Sequence, residues 1–290
     1  VYTMPDADTI LMTPTSPFKA GEVVQVVASS QVESTAALTA TPYQWQFTAT
    51  SQNGSGSGDV WQTQTITDSF SGAFSVMAAD VDGDGDLDVL GAAFYDDAIT
   101  WWENDGSQNF SQHTIHNNFG GASSVTAADV DGDGDMDVLG AAYVANAIAW
   151  FENDGSQTFT KHTIKSNFKA ARSVYAADVD GDGDLDVLGA AITADDITWW
   201  ENDGSQTFTE HTIKGNFDGA FSVTAADVDG DGDPDVLGAA YTANAITWWE
   251  NDGSQAFTEH TIEGNFEGVR SAIAADVDGD GDLDVLGAAD

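Results

Sequence analysis

The sequence contains no cysteine. That absence excludes a disulfide-stapled fold, a thiolate zinc site and cysteine-based catalysis together. Cations are nearly as scarce: 7 Lys and Arg stand against 49 Asp and Glu in 290 residues, a formal net charge of −42. A chain this negative repels phosphate backbones and anionic lipid headgroups, so no nucleic-acid partner and no membrane insertion are expected. No apolar run approaches the roughly 18 residues that a transmembrane helix needs. The opening VYTMPDADT has neither a charged n-region nor an apolar h-region, so a leader is expected to have been removed or the chain to start inside a longer one. What is present argues for folding, since 41% of the residues are hydrophobic and 10% aromatic. A disordered acidic tail would be poor in both.

The acids are periodic. Asp-Val-Asp-Gly-Asp-Gly-Asp-x-Asp-Val-Leu-Gly-Ala-Ala occurs five times, from Asp80, Asp129, Asp178, Asp227 and Asp276, always 49 residues apart. The landmark Ile-x-x-x-Glu-Asn-Asp-Gly-Ser-Gln begins at Ile99, Ile148, Ile197 and Ile246, and Phe-x-x-His-Thr-Ile at Phe110, Phe159, Phe208 and Phe257. Each unit reads as four short strands, in the first unit Ser75–Asp80, Asp88–Ala93, Ala98–Glu103 and Phe110–Ile115. Asn104-Asp105-Gly106 between the last two is a hairpin signal, and no stretch holds a 3.6-residue apolar period. Four antiparallel strands per 49 residues is the size of one β-propeller blade, so the fold expected is all-β. The small Ala-Ala and Gly-Ala-Ala segments suit the crowded axis. The Trp pairs (Trp101/Trp102, Trp199/Trp200, Trp248/Trp249) suit the space between blades; neighbouring strand residues face opposite ways, so a pair makes no flat sugar platform.

Residues 1–50 lie outside the repeat. Gly21–Ala28 and Tyr43–Thr48 alternate apolar and polar residues as sandwich strands do, and 51–59 is a Gly/Ser linker by composition. The repeats occupy 60–290: a lone leading strand (Trp61–Ile66), four full blades and half of a fifth.

In Asp80-Val-Asp82-Gly-Asp84-Gly-Asp86-Leu-Asp88, acids at positions 1, 3, 5 and 9 can curl about one point, with glycines at 4 and 6 for the tight turn. Five carboxylates in nine residues repel one another unless a cation sits among them. A flexible cage of hard oxygens selects Ca²⁺ over zinc or copper, and magnesium would demand stricter octahedral geometry. An EF-hand would need Glu at position 12, which is Gly91, and helices on both sides. A nonapeptide calcium roll would need tandem copies, whereas these loops stand alone. A plain Asp-Gly turn does not account for five copies. About five Ca²⁺ ions, one per loop, are therefore expected. The candidate metal residues are Asp80, Asp82, Asp84, Asp86 and Asp88; Asp129, Asp131, Asp133, Asp135 and Asp137; Asp178, Asp180, Asp182, Asp184 and Asp186; Asp227, Asp229, Asp231, Asp233 and Asp235; and Asp276, Asp278, Asp280, Asp282 and Asp284.

The loop pattern and the 49-residue unit resemble the FG-GAP/VCBS repeats of integrin-α-like calcium-binding β-propellers, over residues 60–290. The resemblance implies side-chain ligands at positions 1, 3, 5 and 9 (Asp80, Asp82, Asp84, Asp88) with the carbonyl of position 7 (Asp86), and likewise in the other four loops. Pro234, where the other loops carry Leu or Met, is a departure that implies a slightly different fourth site. Residues 1–50 resemble part of a bacterial Ig-like domain through Ala20-Gly-Glu22 and Pro42-Tyr-x-Trp45-x-Phe47. Family propellers usually have seven blades, so the irregular count here implies either a piece of a longer polypeptide or half-domains that neighbouring molecules complete.

His113, His162, His211 and His260 recur once per blade and read as exposed cross-strand partners, too dispersed for a zinc cluster. Lys161, Lys165, Lys169 and Arg172 read as local charge balance, with a contact patch for an acidic neighbour as the alternative. Asn53 and Asn109 head glycosylation sequons. No nucleophile–base constellation stands out, so no enzyme is expected. The expected function is a calcium-stabilised extracellular scaffold or adhesion segment, secreted or at the cell surface. The alternatives are a carbohydrate-binding propeller lectin and a fibre subunit that self-associates head to tail through its incomplete terminal domains, with a protein or glycan ligand as the partner.

Overall fold

The computed structural model describes residues 64–290 and, before them, only the backbone of four short strands: β1 (Tyr2–Thr3), β2 (Leu11–Met12), β3 (Val23–Ala28) and β4 (Tyr43–Thr48). β1 pairs with β2 and β3 with β4, both antiparallel. The expected Ig-like part and the linker otherwise lie outside the described residues.

Thr65–Asp290 is a compact unit of its own. Its first sheet is β5 (Ala73–Ala79), β6 (Asp88–Ala93), β7 (Ala98–Asn104) and β8 (Phe110–His116). The second is β9 (Ala122–Ala128), β10 (Asp137–Ala142), β11 (Ala147–Asn153) and β12 (Phe159–Ser166). The third is β13 (Ala171–Ala177), β14 (Asp186–Ala191), β15 (Asp196–Asn202) and β16 (Phe208–Lys214). The fourth is β17 (Ala220–Ala226), β18 (Asp235–Ala240), β19 (Ala245–Asn251) and β20 (Phe257–Glu263). A two-stranded sheet of β21 (Val269–Ala275) and β22 (Asp284–Ala289) follows. Strand order in every sheet is sequence order, so each blade is a four-stranded meander and the fold is the all-β propeller type that the repeat predicts. Of the expected leading strand, only Gln64–Ile66 are described, and they carry no strand.

The core lies between blades. One buried cluster joins Leu90, Ile99 and Trp101 of the first sheet to Val125, Val138 and Phe151 of the second, and the next joins Leu139, Ile148 and Trp150 to Val174, Val187 and Trp200. The same layer recurs between the third and fourth sheets and between the fourth and the half-sheet. Stability is therefore a chain of nearest-neighbour interfaces, as in other repeat proteins. Gly91 shows why the second strand reads Gly-Ala-Ala. A Cβ there would lie 2.8 Å from both Phe70 Cε1 and Trp102 Cζ3, because the Phe70 and Trp102 rings meet edge to face at 4.9 Å over the glycine. β22 is mostly exposed, with no further sheet against it among the described residues.

Each innermost strand carries a bulge at its second residue. Ala171 pairs with Ala191 and Ser173 with Ala190, so Arg172 between them has no ladder partner. Phe74, Phe221 and Arg270 are skipped in the same way. These bulged residues sit at the end of the inner strands away from the Asp loops.

Candidate metal centre

Each Asp loop bridges an innermost strand and its neighbour, so its two ends are fixed by the antiparallel pairing of, for example, Ala79 with Asp88. Within the loop the carboxylates first hold the backbone. Asp80 Oδ2 accepts from the Gly85 amide at 3.0 Å, Asp82 Oδ1 from the Asp84 amide at 3.2 Å and Asp84 Oδ1 from the Asp86 amide at 2.8 Å. These bonds curl the chain until positions 1, 3 and 9 each offer one carboxylate oxygen within 4.8 Å of the other two. The trios are Asp80/Asp82/Asp88, Asp129/Asp131/Asp137, Asp178/Asp180/Asp186, Asp227/Asp229/Asp235 and Asp276/Asp278/Asp284. The position-5 residues (Asp84, Asp133, Asp182, Asp231, Asp280) stay outside those trios, each holding the amide of position 7. Position-7 side chains turn the other way. A Cβ on Gly106 would come within 2.3 Å of Asp86 Oδ2, which places that carboxylate against the hairpin turn and accounts for the glycine there (φ 72°).

Position 9 has a second duty. Asp88 Oδ2 accepts from the Val81 amide at 3.0 Å and Oδ1 from the Asn104 amide at 2.7 Å, tying the loop's start to the end of the third strand. Asp137, Asp186 and Asp235 repeat both bonds, and all four residues are fully buried. Asp284 keeps the Val277 amide alone and is exposed. Burial makes ionisation unfavourable: it pushes Asp88 and Asp137 up to about 6 and Asp186 up to about 7, while the amides pull the other way. Burial also raises Asp82, Asp131 and Asp180, with the neighbouring aspartates adding to it.

Two features fit these residues to a hard divalent cation. The first is the donor set, which is all oxygen and all carboxylate. The second is an orphan. Oδ1 of Asp80, Asp129 and Asp178 is sealed from solvent without a hydrogen-bond partner, a costly state for a carboxylate oxygen unless a cation meets it. In the fourth and fifth loops the same atom instead accepts from the position-4 glycine, Gly230 to Asp227 at 2.8 Å and Gly279 to Asp276 at 2.7 Å. The loop with Pro234 shares this bond with the fifth loop, which carries Leu283, so the bond does not follow the proline. The fourth loop keeps the trio, and the Pro234 carbonyl accepts from Asn251 as Leu185 does from Asn202.

Residues beyond the aspartates also belong to the site. The Asn202 side chain donates to the Leu185 carbonyl in its own loop and to the Val130 carbonyl of the preceding blade's loop, both at 3.1 Å. Asn153 reaches Val81 and Asn251 reaches Val179 in the same way, so the asparagine of the hairpin turn staples adjacent Asp loops together. The histidines also have partners that sequence did not identify. His113 opposes Trp101 in register, stacks on it at 4.7 Å and bonds Glu103 at 2.9 Å, and the other three blades repeat the arrangement. The only sequence signal was the recurrence of Trp, Glu and His at fixed repeat positions.

The sequence profile of the FG-GAP-like repeat family matches residues 80–140, 131–189, 189–238 and 227–287. A comparison with curated proteins finds no match. Among solved structures, the chain is similar to a lectin of Agrocybe aegerita described as specifically recognising non-reducing terminal N-acetylglucosamine. The identity is 22% and the TM-score 0.53, over 73% of this chain and 60% of the lectin. A virginiamycin B lyase from Staphylococcus aureus is 14% identical with a TM-score of 0.51, over 72% of this chain and 63% of the lyase. The chain thus spans less than two thirds of either protein. At such identities the likeness concerns the fold alone. The profile match covers most of the chain and falls on the Asp-loop repeats, and the chain belongs to the FG-GAP-like repeat family.

Proposed function

We propose that the repeats form a calcium-stabilised, non-catalytic scaffold or adhesion segment of a secreted or cell-surface protein, with one Ca²⁺ in each Asp loop. The sealed, unpartnered Oδ1 of Asp80, Asp129 and Asp178 carries this reading. The side chains of Asp80, Asp82, Asp84 and Asp88, with the Asp86 carbonyl, would hold the ion in the first loop, and the matching residues would hold it in the others. The bound cation offsets part of the loop's negative charge and locks the first two strands of a blade. The protein's own residues then pass that constraint on, through position 9 to the third strand and through the turn asparagine to the next blade. Millimolar calcium and the dissociation constants usual for extracellular modules correspond to about 0.4–1.4 kcal/mol per site. Four of the five histidines pair with a cross-strand Glu and the loop aspartates hold backbone amides, which supports a non-catalytic segment. No helix among the described residues is long and apolar enough to cross a membrane. Calorimetric titration of metal-free protein should give about five calcium ions per chain, and EGTA should lower the melting temperature. An unchanged midpoint would refute the calcium role.

A carbohydrate-binding role is the second reading, favoured by grooves between the outer parts of adjacent blades. One, of about 560 Å³, is lined by Trp150, Glu152, Lys161, His162, Gln206 and Phe208, and its counterpart one blade on by Trp199, Glu210, His211, Gln255 and Phe257. Neutral sugars retained on a glycan array, with calcium present, would support it; a blank array would remove it.

A further inference from the structure

Arg172 is out of place in so acidic a chain. It is only 9% exposed, yet it makes no ion pair and no hydrogen bond among the described residues. Its guanidinium lies between two rings from other blades, 4.0 Å from the Phe74 centroid and 4.2 Å from that of Phe221. Phe221 is shared with Arg270, whose guanidinium is 5.3 Å from the same centroid and 5.2 Å from that of Tyr241. Phe74, Arg172, Phe221 and Arg270 are the bulged residues of four innermost strands. The bulge frees these side chains from the sheet and lets residues of different blades stack on one another, a use of bulges common beside binding sites.

The two arginines differ in what they already hold. Arg270 is bonded to Asp290. Arg172 has no carboxylate facing it: burial and then the charge of Arg270 bring it down to about 10, with Tyr143 as the only opposing group, so it remains a cation at neutral pH. Two aromatic rings hold the guanidinium at centroid distances of 4.0 and 4.2 Å, and none of its nitrogens is both sealed from solvent and unpartnered. A planar fork held by two rings, with no hydrogen-bond partner among the described residues, suits a carboxylate. Exposed aromatic surface surrounds it at the same end of the blades: Phe74 is 46% and Tyr241 40% exposed.

We propose that Arg172, clamped between Phe74 and Phe221, anchors a binding site for a carboxylate-bearing sugar, a uronate. The guanidinium takes the carboxylate, and the exposed rings of Phe74 and Tyr241 take the apolar face of the sugar. The site lies away from the Asp loops and depends on the fold alone, so it stands or falls separately from the calcium reading.

The test is titration calorimetry of the whole chain with sodium glucuronate, in excess calcium so that chelation by the sugar is masked. Methyl glucoside serves as the ring without the charge and acetate as the charge without the ring. Saturable glucuronate binding that exceeds both controls is expected, with at least a tenfold loss in Arg172→Gln and a smaller loss in Arg172→Lys, which keeps the charge and loses the fork. Thermal melts of both variants report folding. If Arg172→Gln fails to fold, Arg172→Lys against wild type decides. No saturable binding, equal binding by the variants, or methyl glucoside or acetate matching glucuronate would overturn the assignment.

Discussion

Replacing Asn202 by alanine probes the staple between Asp loops, and Asn104 supplies its internal control. Asn202 is 1% exposed. Its side chain makes three hydrogen bonds at 3.1 Å: Nδ2 to Val130 O, Nδ2 to Leu185 O, and Oδ1 from the Gln206 amide. Alanine removes all three and leaves buried carbonyls unpaired, while the Asn202 backbone amide keeps its bond to Asp186. At about 0.5–1.5 kcal/mol per bond, plus the penalty for unpaired groups, the loss is about 2–4 kcal/mol. Asn104 has the same two bonds within its own blade, to Leu87 O and from Gln108 N, but no inter-blade bond among the described residues, and it is less buried. Asn104→Ala should therefore cost about 1–2 kcal/mol. In a domain of this size 1 kcal/mol moves the midpoint by about 2–4 °C, so Asn202→Ala should melt about 4–16 °C below wild type and Asn104→Ala about half as far. Differential scanning calorimetry in saturating calcium measures both. Equal shifts would refute the inter-blade bond as a stabilising element.

In the metal-free protein, stability should rise as pH falls from about 7 to 5. Asp88, Asp137 and Asp186 have folded-state values of about 6 to 7 against about 3.9 unfolded, so the folded chain holds more protons across that window and loses stability as they leave. Melts in EDTA should show this slope and melts in calcium should flatten it; a metal-free midpoint that climbs towards pH 8 would contradict the assignment of burial as the cause. Gly204→Ala should weaken calcium binding to the third loop, because a Cβ at φ 71° would lie 2.4 Å from Asp184 Oδ2. The strain should also cost about 1–3 kcal/mol, and calorimetry and a melt would both register the change. The last loop should be the weakest calcium site, since Asp276, Asp278 and Asp284 are all exposed and Asp284 lacks a second amide. An Asp278→Asn variant should then remove only the lowest-affinity phase of the titration, and loss of a tight phase would overturn that ranking.

What the sequence made legible follows from the reach of its signals. Strand positions and the loops were readable because alternation, the Asn-Asp-Gly turn and the Asp-Gly run act within a few residues. The pairing of Ala79 with Asp88 is a local consequence of the eight residues between them. The Asn202–Val130 staple was not readable, because its partners are 72 residues apart. In a repeat, every residue has an equivalent 49 positions away, and periodicity cannot say whether a side chain bonds within its own blade or to the next. Position 9 shows the same limit. An aspartate that ligates a cation and one that ties two strands together look identical in sequence, and here the same side chain is placed for both duties. Arg172 escaped for the opposite reason, since it breaks the repeat. Its position carries Phe, Ser, Arg, Phe and Arg in the five units, and only the stacking of different blades shows that its Phe and Arg residues meet. The repeat-invariant positions thus build the scaffold. The variable bulge position is free to differ from blade to blade because no ladder bond depends on it, and for that reason the structure directs attention there for specificity.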